Sequence, residues 1–230
     1  MAKGAASVVL TEPGLINIIA LVQQGRSIYQ RILTWIINKI SRTILKAAFV
    51  AAAYVFTGQF VISAFAMLLL TFLTDFAKIS LATDTVRPSR SPETWHIGSF
   101  ITLSVVLGLA MVVETLALLW FGWTRFGLAT DVNALDTFSF LLLLYFAVFS
   151  VVSARERRWF WSSRPSTTFL LALTADAVVG SGLTLVGLPG LHALPPTEML
   201  AIFGYAMIAC LGLNDTLKVA MIRWRVPAAT

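Results

Sequence analysis

The sequence predicts an all-α membrane protein, a bundle of six transmembrane helices with a short N-terminal stalk. Two observations carry this. Of 230 residues, 58% are hydrophobic and only 12% are charged, whereas soluble domains average roughly 45–50% apolar and about 25% charged residues. A soluble domain this size would have too little polar surface to cover itself. The apolar residues are also gathered into six runs, each near the roughly 20 residues that a spanning helix needs.

The runs cover residues 41–57, 60–82, 97–120, 138–154, 168–188 and 198–219. Thr57-Gly58-Gln59 is a tight uncharged turn between the first two. Residues 84–96 form a long polar connection with Arg87 and Arg90, and residues 122–136 hold one basic residue, Arg125. The connection at 155–167 carries Arg155, Arg157, Arg158 and Arg164, whereas 187–196, with Pro189-Gly190 and Pro195-Pro196, has no Lys or Arg. The C-terminal end carries Lys218, Arg223 and Arg225. Basic residues mark cytoplasmic connections, so both termini and the two Arg-rich loops are expected inside. An even number of spans requires the same. Trp95, Trp120, Trp123, Trp159, Trp161 and Trp224 fall near span ends, as interfacial aromatic belts do.

The net charge of +6 does not indicate a nucleic-acid partner. The basic residues punctuate apolar runs instead of forming one patch. Cys210 is the only cysteine and lies in an apolar run, which suits a packed thiol. Residues 1–13 lack the long apolar core of a signal peptide. His96 and His192 are far apart in loops, and no metal site is expected. The chain carries no Gly-rich phosphate loop, zinc spacing or nucleophile elbow.

Before the first span, residues 6–10 form a short β-leaning run and Thr11-Glu12-Pro13-Gly14 a turn. Leu15, Ile18, Ile19 and Val22 then recur at helical spacing among Gln23, Gln24, Arg26 and Arg31. This helix should project from the membrane as a stalk. A lone strand cannot satisfy its own backbone, so the chain is expected to be incomplete or to have a partner.

Charged residues at membrane depth cost roughly 2.5–3.5 kcal/mol each on insertion scales and mark candidate functional sites. Lys39, Arg42 and Lys46 recur at three and four residues and share one helix face. Asp75 lies in the second span, at a depth broadly similar to Lys46. Its partner could be Lys46, Arg42, or Lys78 one turn away. A neighbouring cation favours the carboxylate and burial disfavours it, so Asp75 is suited to taking and releasing a cation or proton. The competing reading is a structural ion pair. Glu114 in the third span and Asp176 in the fifth have no evident partner. Each is expected to face the bundle interior and bond Ser, Thr or backbone groups. Asp215 and Lys218 are one turn apart, which suggests a local pair near the interface.

At this point the motifs resemble a known family. Residues 1–15, MAKGAASVVLTEPGL, resemble the end of the phosphorylation domain of P-type ATPases. Gly25-Arg26-Ser27-Ile28-Tyr29-Gln30-Arg31 resembles the stalk of their fifth membrane helix. Leu73-Thr74-Asp75, Asp84-x-x-Arg87-Pro88-Ser89 and Pro92-Glu93-x-Trp95 resemble the sixth helix and following loop of plasma-membrane proton pumps. Asp215-x-x-Lys218 with Ile222-Arg223-Trp224 resembles the end of their tenth helix. The resemblance extends over essentially the whole chain and is most specific in the first hundred residues.

The resemblance implies four regions: residues 1–14 as the end of a phosphorylation domain, 15–40 as a cytoplasmic stalk, 41–225 as the six-helix transport domain, and 226–230 as a tail. Asp75 would stand at the pumps' essential membrane carboxylate, and the transported cation would be H+. The family's Arg on the fifth helix is replaced by Leu45, with Lys46 beside it and Arg42 one turn earlier. The usual Asn-Asp-Gly is Thr74-Asp75-Phe76, and Lys78 is a further departure. The Asp-Lys-Thr-Gly motif, the nucleotide-binding domain and the first four helices lie outside this sequence. ATP and magnesium would therefore bind a missing N-terminal half, with no cofactor on this chain. The expected partners are the lipid bilayer, that half and the cation. The expected location is the plasma membrane. The alternative is a freestanding six-helix membrane protein without enzymatic activity, either a passive ion pathway or a degenerate remnant.

Overall fold

A computed structural model describes residues 16–86 and 97–225. It is all-helical, with no strand among the described residues. Helix α1 spans Ile16–Thr57, α2 Ala64–Ser80, α3 Ile97–Arg125, α4 Val132–Ala154, α5 Thr167–Val186 and α6 Pro196–Ile208. A π-helical segment, Ala209–Asn214, joins α6 directly to α7, Asp215–Arg225. Six helices are long and apolar enough to cross a membrane, the last being the continuous rod from α6 through α7. Short 3₁₀ turns occupy Leu81–Thr83 and Phe160–Ser162. The expected strand and turn at 1–14 lie outside the described residues, as do Arg87, Arg90, Trp95 and His96.

The helix ends follow polar side chains that hydropathy alone places less well. The segment expected as a stalk and the first span form one unbroken helix of 42 residues, about 63 Å at 1.5 Å per residue. That is twice the hydrocarbon thickness of about 30 Å, so roughly half of α1 must stand outside the hydrocarbon. The second helix begins later than residue 60. Ser63 accepts the Ala66 N–H (3.1 Å), while its own N–H donates to Asp136 Oδ1 (2.7 Å). The fourth begins earlier than residue 138, because Asp131 caps it through the N–H groups of Asn133 and Ala134 (both 3.0 Å). Ser166 caps α5 through the Phe169 N–H (3.2 Å).

The core is organised around α4, which is buried on nearly every side from Leu135 to Val151. Such all-round burial requires the all-round apolar surface that Phe138–Phe149 supplies. The main neighbours of α4 are α1, α2, α5, α6 and the π-helical segment, with α3 and α7 touching it less. Its Leu144 fits into the notch left by Gly180 of α5, where a Cβ would lie 2.0 Å from Leu144 Cδ2. The longest seam joins α1 to α3. There Gly108 lets the backbones approach, since a Cβ would stand 3.0 Å from both Ser41 O and Ile44 Cβ. Ser41 Oγ donates to Ser104 O across this seam (2.9 Å). Small residues and short hydroxyl bonds are the means by which membrane helices adhere.

Candidate functional site

Asp75 sits two-thirds of the way along α2, on the helix's open side. Its carboxylate is 53% exposed, and Lys78 Nζ donates to its Oδ1. Of the three cations considered from sequence, Lys78 is therefore the one that pairs. The pair lies on a single helix one turn apart, a geometry that needs no second helix. Lys46 reaches α2 one turn away, at Thr71 Oγ1 (3.4 Å). Leu45, next to it, points into the core and is almost fully buried.

The basic stripe of α1 opens onto the same side. Lys39, Arg42 and Lys46 line an open groove of about 570 Å³ together with Thr71 and Lys78 of α2. Asp75 borders a second open space of about 480 Å³, walled by Phe65, Leu68, Leu69 and Phe72. Four cations thus face one groove beside a single carboxylate. Lys39, Lys46 and Lys78 have flexible stems that can carry their ammonium groups along it. Arg42 cannot move away so easily, being only 4% exposed, with Nε and Nη2 lacking hydrogen-bond partners. It lies within electrostatic range of both Asp75 and Asp176.

The other intramembrane acids are placed differently. Glu114 accepts from Asn214 Nδ2 (2.7 Å), and Tyr205 OH donates to the Glu114 carbonyl (3.0 Å). An amide from the π-helical segment thus takes the place of the Ser, Thr or backbone donors expected for it. Asp176 faces inward, 4% exposed, and its Oδ2 has no partner.

Two polar knots at the Arg-rich end were not anticipated at their full extent. Asp84, following the 3₁₀ turn, is fully buried, and its Oδ2 receives Arg155 Nε (2.6 Å). Its Oδ1 receives the Ser166 N–H (2.9 Å), and its carbonyl receives Arg31 Nε and Nη2 (3.0 and 2.7 Å). Arg155 also donates to Ser163 O (2.9 Å). One residue therefore ties the N-terminal half of α1, the end of α2, the end of α4 and the start of α5. The second knot contains the expected Asp215–Lys218 pair (2.6 Å), but both side chains are buried. Lys218 Nζ donates to Ser153 O (2.6 Å), and Asp215 accepts from Ser153 Oγ (3.1 Å) and the Phe160 N–H (3.1 Å). From sequence, Arg155 was only one of four loop cations. Its place directly after the apolar run that ends at Ala154 was the available signal.

No family model matches the chain. A protein of Methanocaldococcus jannaschii, provisionally named as a cation-transporting ATPase, is 29% identical over 226 residues, 96% of this chain and 27% of the relative. The chain spans about a quarter of that relative's length, and along nearly all of itself it is similar to a cation-transporting ATPase.

Proposed function

We propose that this chain supplies the membrane transport segment of an ATP-driven cation pump, with the proton as the cation carried. The observation that carries the reading is Asp75, a carboxylate inside a membrane-spanning helix, beside a groove lined by Lys39, Arg42, Lys46 and Lys78. Ionisable groups at that depth are costly and mark ion paths by default. Asp75 takes up the cation, and Lys78, Lys46 and Arg42 act as its exchangeable counter-charges. The similarity to a cation-transporting ATPase supports the same reading. The α1 stalk couples the path to ATP chemistry in a partner half, which binds ATP and magnesium. Arg31 at Asp84 is the point where stalk motion enters the bundle. The bundle lies in the plasma membrane, with both termini and the Arg-rich loop cytoplasmic.

The test is co-expression with the N-terminal half of a related pump in a strain lacking its own. The pair is expected to give vanadate-sensitive ATP hydrolysis coupled to acidification of vesicles. Asp75→Asn should abolish the acidification. Unchanged transport in that variant would remove Asp75 from the path. Vesicles holding the chain alone should keep a pH gradient, and rapid collapse of the gradient would favour the passive-pathway alternative.

A further inference from the structure

Behind Asp75 lies a second group of polar side chains, which shares Arg42 with the groove. Asn38, Arg42 and Asp176 are 6%, 4% and 4% exposed. Five of their atoms have no hydrogen-bond partner: Asn38 Nδ2 and Oδ1, Arg42 Nε and Nη2, and Asp176 Oδ2. Asn38 and Arg42 are one turn apart on α1 and so share a face. Asp176 belongs to the buried stripe of α5, Phe169, Leu173, Asp176, Gly180 and Thr184. Apolar contacts seal it on both sides: Leu173 packs with Leu81, Val148 and Val151, and Gly180 receives Leu144 with Leu73 alongside. Asn38 borders a small cavity of about 10 Å³, also walled by Lys39, Lys78, Leu81 and Val151. That is about the smallest space that holds one water. The same two apolar residues thus join the Asn38 cavity to the cluster one turn from Asp176.

An ionised carboxylate oxygen and a guanidinium edge left bare in an apolar interior are too costly to stay so. Each must meet water, a proton or the other. We propose that Asn38, Arg42 and Asp176 form a buried water-holding site, separate from Asp75, in which the Asp176 carboxylate takes up and releases a proton. In the ionised state, water bridges Asp176 Oδ2 to the Arg42 N–H groups, and the site is net neutral. A hydronium then delivers its proton to Oδ2 and leaves as water. The new O–H becomes a donor, and Arg42 retains the positive charge. The charged group that reaches Asp176 is Arg42 of α1. Lys39 of α1 and Lys78 of α2 wall the Asn38 cavity, and Lys78 is paired with Asp75. On α4, Tyr145 OH is engaged with Ser181 Oγ (2.7 Å), one turn further along α5. Arg42 stands between two carboxylates and can neutralise one at a time, which gives a transported proton a second station. Only this last step rests on the pump reading.

The site itself is tested on the chain alone, in lipid nanodiscs, by infrared titration with aspartate labelled at its side-chain carboxyl. The expected result is an isotope-shifted carboxylic-acid band that appears on acidification and survives Asp75→Asn. Asp176→Asn should abolish it. Asp176→Glu, which keeps a carboxyl for folding, should move the band to its unlabelled position. A band unaffected by both Asp176 variants, or an Asp176 that stays ionised throughout, would overturn the proposal. Arg42→Gln should displace the band's midpoint by about one pH unit or more, and an unmoved midpoint would overturn Arg42's membership. Asp75→Asn leaving transport unchanged would defeat the pump reading and leave this result intact.

Discussion

At the scale of single residues, the charges in this bundle fall into two kinds. Asp84 with Arg155 and Asp215 with Lys218 are buried and bonded in several directions. Asp75, Lys46 and Asp176 are underbonded or bonded only to a mobile partner. Saturated pairs hold a structure, and removing one partner strands the other charge at a cost of about 3–5 kcal/mol. Arg155→Met is therefore expected to destabilise the reconstituted bundle by about 3–5 kcal/mol, measurable by thermal or detergent unfolding. Lys46→Met, on the open groove, should cost under about 1 kcal/mol. Equal losses would mean that the groove charges are as structural as the knot.

At the scale of elements, close approach is bought by small residues at few points. The α1–α3 seam depends on Gly108, because the nearest neighbour of an added Cβ includes the Ser41 carbonyl, a backbone atom that cannot rotate away. Gly108→Leu should separate the helices, break the Ser41–Ser104 bond and lower stability by about 1–3 kcal/mol, as overpacking does. A double electron–electron resonance pair across the seam should report the separation, and an unchanged distance distribution would refute it. The π-helical segment is the second such point. Its wider turn carries Asn214 to Glu114, and π-bulges inside helices often mark functional positions.

At the scale of the whole molecule, an even number of crossings puts the loop at 155–166 and the C-terminal end on one side, and the loop at 187–195 on the other. Cys210 is buried, so a single introduced thiol reports cleanly. In sealed cells, His192→Cys should react with an impermeant maleimide from outside. Trp161→Cys should react only after permeabilisation. The reverse pattern would overturn the orientation.

The sequence by itself determined the class, the number of spanning helices and the alternation of loop charge, and it singled out Asp75, Glu114 and Asp176 as acids within apolar runs. These are one-dimensional properties: span length against bilayer thickness, and the cost of a charge wherever it falls along a span. Helix ends were legible only to within a few residues. Asp131 and Ser63 act as caps through local geometry, and their polarity reads as loop. Only the tertiary structure decided partners. A helix presents several faces, and spacing cannot say which face meets which neighbour. Lys78 thus took Asp75, Asn214 took Glu114, and Asp84, read as part of a loop motif, became the centre of a four-way knot. Asp176, without a partner in either view, acquired a meaning only when Arg42, itself short of partners, was found within its electrostatic range. Whether a charge in an apolar run is satisfied depends on atoms distant in the chain, which packing alone brings together.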